Sequence, residues 1–127
     1  MAMLFEVEYP GGERAIATGY AGSTLIVQIV PRGPEAALDD ALEVDFGRDP
    51  PRVLRVLGGP RRPTLHVRLA GASAAEREAW MDARDAEGWL TREDDGDPTR
   101  ILVVAGHDGM DPTALARAGG ALEPREP

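Results

Sequence analysis

In the stretch RILVVAGHDGMDP, residues 100–112, an apolar run ends in glycine and is followed at once by His107 and Asp108. Imidazole titrates near neutrality, and a neighbouring carboxylate is the usual means of orienting such a base. The rest of the stretch has a plainer reading. Gly106 and Gly109 let the chain turn sharply after a strand, and Asp111 before Pro112 fits a helix N-cap followed by proline at the first helical position. The glycines match neither a dinucleotide fingerprint nor a phosphate-binding loop. His107 and Asp108 are the residues left over for chemistry.

The only other histidine, His66, lies in TLHVRL, where Leu65, Val67 and Leu69 form the inward set. His66 therefore shares the opposite face with Thr64 and Arg68, a placing of donors and positive charge that suits an anion. Zinc on the two histidines would need carboxylates to complete the set. With 22 acidic residues in the chain, chance agreement is easy, and no metal or cofactor is assigned. The acidic run EDDGD, residues 93–97, fails the spacing of a calcium loop and reads as a solvated hairpin turn. Trp80 and Trp89 read as anchors in or near the core, with their indole groups reaching its edge.

A second set of candidates is electrostatic. The chain carries a net charge of −8, yet residues 48–68 hold six arginines (Arg48, Arg52, Arg55, Arg61, Arg62 and Arg68) against one acid, Asp49. That segment is +5 and the remainder −13. Arg61 and Arg62, set between glycines and prolines, suit a loop tip that clamps a carboxylate or phosphate on a partner. Nucleic acid is disfavoured as a partner by the overall negative charge.

The totals bound the remaining classes. A chain of 127 residues with 43% hydrophobic and 28% charged residues suits one globular domain. Cysteine is absent, which excludes disulfides and thiolate chemistry. Lysine is absent too, which excludes a lysine Schiff base. No apolar run approaches a membrane span, and the first residues lack the pattern of a signal peptide, so a cytoplasmic location is expected.

The elements that must position these residues follow from periodicity. Residues 3–9 alternate, with Phe5, Val7 and Tyr9 on one face, and residues 14–20 return as a second strand with Ile16, Thr18 and Tyr20 on one side. Residues 24–30 read as a central strand, and residues 34–41 as one or two helical turns. LEVDF places Leu42, Val44 and Phe46 inward. RVLRVL and TLHVRL read as a hairpin joined by GGPRRP. Ser73 with Glu76 is a capping-box pattern that opens a helix closed by Gly88. Trp89 begins a strand, RILVV is the most buried one, and a short helix runs from about Pro112 to Ala118.

The order ERAIATGYAGSTLIVQIVP, ALDDALEVDF, PPRVLRVLGGPRRPTLHVRLAG, then EAWMDARDAEGWL and RILVVAGHDGMDPTALARAGG resembles a bacterial domain family of unknown function over about residues 13–122. Where that family's pattern has a histidine in the turn at residues 58–63, this chain has GGPRRP. The resemblance implies the fold and supplies no activity.

The fold expected is α+β: a bent antiparallel N-terminal sheet or partial barrel merging into a ferredoxin-like β-α-β-β-α part. Residues 1–118 form a single domain over one shared core, and residues 119–127 a loose tail. No catalytic constellation is assembled, so the leading functional reading is a non-enzymatic accessory or regulatory module. It contacts an acidic protein or small anion through an arginine-rich hairpin bearing Arg52, Arg55, Arg61, Arg62, His66 and Arg68. The alternatives are a small enzyme or ligand-binding protein using His66, His107 and Asp108 in a pocket, and nucleic-acid binding through the same hairpin.

Overall fold

The computed structural model describes residues 2–123. Packing divides the chain into two compact units, the first ending at Thr64 and the second beginning at Leu65. Each has its own apolar cluster, whereas the sequence reading placed every element over one core.

The first unit is a closed barrel of five strands: β1 (Met3–Glu8), β2 (Arg14–Gly19), β3 (Leu25–Val27), β4 (Ala41–Asp45) and β5 (Arg52–Gly58). Each strand pairs antiparallel with the next, and β5 closes on β1 in parallel at Glu8 and Arg52. The parallel seam is a matter of parity. Five strands alternating in direction leave the fifth running the same way as the first.

Closure also decides which residues go inward. The interior of a small barrel is narrow and is filled by small residues set against large ones. Ala15 and Ala17 therefore face in from β2 against Val7, Leu25, Val27, Leu42 and Val53. Ile16 and Thr18 lie on the opposite face, and Tyr20 is exposed. Phe5 meets Phe46 edge to face at 5.5 Å, and Val44 packs on the same cluster as expected.

Two expectations in this unit are corrected. Residues 34–41 form no helix. Their backbone N–H groups are taken by carboxylates instead, that of Ala36 by Glu13 and that of Ala37 by Asp40, while Asp39 adopts a left-handed φ of 67°. These partners offer the backbone an alternative to helical bonding. RVLRVL and TLHVRL do not form a hairpin either, because β5 pairs within the barrel and TLHVRL belongs to the second unit.

The second unit is a four-stranded antiparallel sheet in the order β7-β8-β6-β9, built from β6 (Leu65–Arg68), β7 (Trp89–Asp94), β8 (Asp97–Ala105) and β9 (Ala121–Leu122). Helix α1 (Ala74–Ala86) connects β6 to β7, and α2 (Thr113–Arg117) connects β8 to β9. Among the described residues the chain is thus mostly β with two helices, a mixed α+β arrangement.

Ser73 caps α1 as its spacing demands: its hydroxyl accepts from Glu76 N, and the Glu76 carboxylate accepts from Ser73 N. Gly88 follows the C-cap at a φ of 106° that side chains rarely adopt. Leu65, Val67, Leu69, Ile101 and Val103 cluster with Trp80, Trp89, Met81 and Leu115 on one face of the sheet. Trp89 is buried, and the Trp80 indole donates to Ala118 O at 2.9 Å. The 119–127 segment departs from a loose tail as far as it is described. Ala121 and Leu122 pair with β6, and residues 124–127 lie outside the described residues.

Candidate functional site

The loop at residues 106–111 is built largely for turning. Gly106 N donates to Gly88 O, and a Cβ at Gly106 would collide with that same oxygen. The Asp111 carboxylate accepts from Thr113 N at 3.0 Å, which pulls its pKa below the ordinary carboxylate value. The helix that follows begins at Thr113 with Pro112 at its N-cap and no side-chain cap bond, so Asp111 stands one residue ahead of the cap expected of it. His107 is exposed, and its Nδ1 lies 2.9 Å from the backbone carbonyl of Asp108. The ring is thus oriented by its neighbour's main chain, while Nε2 sits over Gly88.

His66 is half-buried in the middle of β6, opposite Leu102, and belongs to a different constellation. Two residues on, Arg68 stands directly across from Arg100 of β8. Like charges in that position repel, and three acids resolve the conflict. Glu123, just past β9, accepts from Arg68 Nε at 2.7 Å and from Arg100 Nε at 3.1 Å, with Arg100 Nη2 at 3.0 Å. Asp97 bridges to Arg68 at 3.0 Å, and Asp94 lies 3.4 Å from Arg100. Partial burial draws the Glu123 carboxyl upward, but the bonds from Arg100 and Arg68 outweigh it and hold the pKa low. Asp97 is lowered as well, first by Thr99 and then by Arg68.

Asp94 corrects the reading of EDDGD as a wholly solvated turn. It is 1% exposed and accepts from Gly96 N as well as from Arg100. Among the described residues, no group of three or more His, Asp or Glu side chains is placed to hold a metal ion.

The arginines of residues 48–68 are divided between the units, Arg68 lying in the second and the others in the first. Arg61 is the clearest correction to the loop-tip expectation. Its guanidinium turns inward, donating to both oxygens of Asp40 at 2.9 and 3.1 Å and to the carbonyl of Glu35 at 2.7 Å. Asp40 is fully buried and accepts in addition from Tyr9 Oη at 2.8 Å and Ala37 N at 3.0 Å.

Burial first, and then the bond and charge of Asp40, push the Tyr9 phenol well above its ordinary value. Beside this network Glu13 is raised mainly by burial, partly opposed by the hydrogen bond from Ala36 N. Arg61 adopts a left-handed φ of 47°, a strain that persists only where surrounding contacts impose it. Its neighbour Arg62 is half-buried.

Arg52 and Arg55 remain on the outside of β5. Arg52 pairs with Glu8 at 3.1 Å and Arg55 with Glu43, and their side chains are 51% and 70% exposed. The same strand presents Leu54 and Leu57 to solvent at 57% and 48%. Register shifts between β4 and β5 accompany this pattern, because a bulge breaks the strict alternation that would have buried one leucine.

Sequence reasoning missed Tyr9, Asp40 and Glu123. The residues of the Asp40 network are separated by 31 and 21 positions, and no local spacing announces such a pairing. Glu123 follows a strand of two residues, too short to carry a period. No helix among the described residues is long and apolar enough to cross a membrane. No family model, curated protein or solved structure matches the chain, so the residues themselves carry what can be said of its function.

Proposed function

We propose that the protein is a non-enzymatic binding module, accessory or regulatory in role, that docks an acidic partner through the outer face of β5. The observation that carries this reading is the exposure of Leu54 and Leu57, at 57% and 48%, on either side of Arg55. Interfaces favour apolar side chains and arginine at their centre. A strand that sets leucine beside arginine in solvent supplies both.

The ion pairs made by Arg52 and Arg55 do not oppose docking. Exposed pairs of this kind contribute about 0–1 kcal/mol, so a partner carboxylate can replace Glu8 or Glu43 at small cost. The contact surface is thereby smaller than the whole basic segment. It keeps Arg52 and Arg55 and leaves out Arg61, which is committed to Asp40. For the second unit we propose a ferredoxin-like reading of the β-α-β-β-α-β order, supported by the sequence of strands across its sheet.

The test is binding of a fluorescein-labelled peptide of alternating leucine and glutamate, read by anisotropy. Wild type should bind in a salt-sensitive manner. The variants Leu54→Ser/Leu57→Ser and Arg52→Glu/Arg55→Glu should each weaken binding about tenfold or more, the effect of removing central interface side chains. Equal binding by wild type and both folded variants would sink the reading.

A further inference from the structure

The way Glu123 sits in the second unit shows what its site would accept from elsewhere. β9 adds only two residues to the edge of β6, with Ala121 opposite Arg68 and Leu122 opposite Val67. Glu123 then donates its N–H to His66 O at 2.8 Å and lays its carboxylate between Arg68 and Arg100. These contacts are those of strand addition: backbone bonds supply attachment, and one side chain supplies selectivity.

We propose that the β6 edge and the Arg68–Arg100 fork form a binding site for an extended peptide carrying a glutamate. The segment Ala121–Glu123 is then its built-in, displaceable occupant. This inference goes beyond the β5 reading, since it rests on other residues in the other unit and is tested separately.

Charge decides the chemical class. With Glu123 removed, Arg68 and Arg100 are balanced by Asp94 and Asp97, and the site is close to neutral. A single carboxylate restores the arrangement seen here. A phosphate dianion would meet two fixed carboxylates along with the two guanidiniums, so phosphopeptides and nucleic acid are disfavoured. The backbone partners select in the same direction, because a free small anion leaves the His66 carbonyl and the β6 edge unused.

The strap also has a release point. Gly120 passes so close to the sheet that a Cβ there would collide with Val67 Cγ1 and lie 3.1 Å from Trp80 Cζ2. A side chain at position 120 therefore lifts the strap and leaves the fork's own residues untouched.

The experiment uses the full chain and a fluorescein-labelled, C-terminally amidated peptide Gly-Gly-Ala-Leu-Glu, with a glutamine version as control. Gly120→Val should bind the glutamate peptide about tenfold more tightly than wild type. The glutamine peptide should bind that variant about tenfold more weakly, and inorganic phosphate should compete no better than chloride at equal ionic strength. Glu123→Gln, which keeps the backbone of the strap, gives a second arm and should also bind the glutamate peptide more tightly than wild type. The proposal is overturned if neither variant gains affinity, if glutamine serves as well as glutamate, or if phosphate displaces the peptide.

Discussion

The two units answer the same problem, pairing arginine with carboxylate, in opposite surroundings. In the barrel Asp40 is fully buried, and each of its oxygens is met by directed donors from Arg61, Tyr9 and Ala37. In the second unit Arg68, Arg100, Asp97 and Glu123 share charge on side chains that are between 24% and 34% exposed, and Asp94 is the one buried member of the cluster. A buried ion must have every bond in place or it destabilises the fold. A half-exposed cluster tolerates exchange, because water takes over whatever a lost partner leaves. The barrel network thus fixes a conformation, whereas the sheet cluster can trade partners.

The sharpest way to break this contrast is Arg61→Ala. It strands a buried carboxylate and should cost about 2–3 kcal/mol, below the 3–5 typical of a fully buried pair because the Arg61 side chain is 46% exposed. Arg55→Ala on the same unit should cost no more than about 0.5 kcal/mol. Urea unfolding can assign each loss to its unit, since both tyrosines, Tyr9 and Tyr20, lie before residue 65 and both tryptophans, Trp80 and Trp89, after it. Equal losses for the two variants would show that Asp40 finds other partners.

Next in size, Glu123→Gln should shift the tryptophan-monitored transition by less than half the Arg61→Ala loss, and more at low salt than at high. A shift as large as that of Arg61→Ala would place the cluster among buried networks and remove the contrast.

The smallest effect is the response to acid, and its sign differs between units. Glu76, Asp97, Asp111 and Glu123 have lowered pKa values in the folded second unit. Their stabilisation is present above the ordinary carboxylate range and is lost as pH falls through the folded values. Glu13 in the barrel is raised above its ordinary 4.5. Its contribution is fully present below 4.5 and is lost as pH rises through the folded value. The tryptophan signal should therefore report weakening as pH falls below the ordinary 3.8 of Asp97 and Asp111, whereas Glu13 already strengthens the barrel as pH falls from 7 toward 4.5. Glu13→Gln should abolish the barrel's share of this difference, and an unchanged tyrosine-monitored profile would refute it.

Local pattern made much of this fold legible. The alternation of Phe5 and Val7, the capping box at Ser73 and Glu76, the glycine after α1 and the apolar run of β8 each arise from interactions within a few residues. What escaped depends on distant partners. Ala15 and Ala17 turn inward because a closed barrel has no room for Ile16 and Thr18. Arg61 turns inward because Asp40, 21 residues away, is buried beneath it. The candidate surface shifted for the same reason: a basic segment reads as one patch until strand pairing assigns its parts to two sheets. Leu54 and Leu57 were legible as strand residues, but a bulge, which has no sequence period, set both of them outward.

The parallel closure of the barrel also sets its response to force. β1 begins and β5 finishes at opposite ends, so tension applied between Ala2 and Gly58 slides the two strands past each other. Their seam holds the pairing of Glu8 with Arg52, the bond from Glu8 N to Pro51 O at 2.9 Å and the Arg52–Glu8 ion pair. The antiparallel ladder of β1 on β2 runs through six residue pairs. Under load the barrel opens first along its shortest ladder, and Arg52 is the side chain that bridges that line.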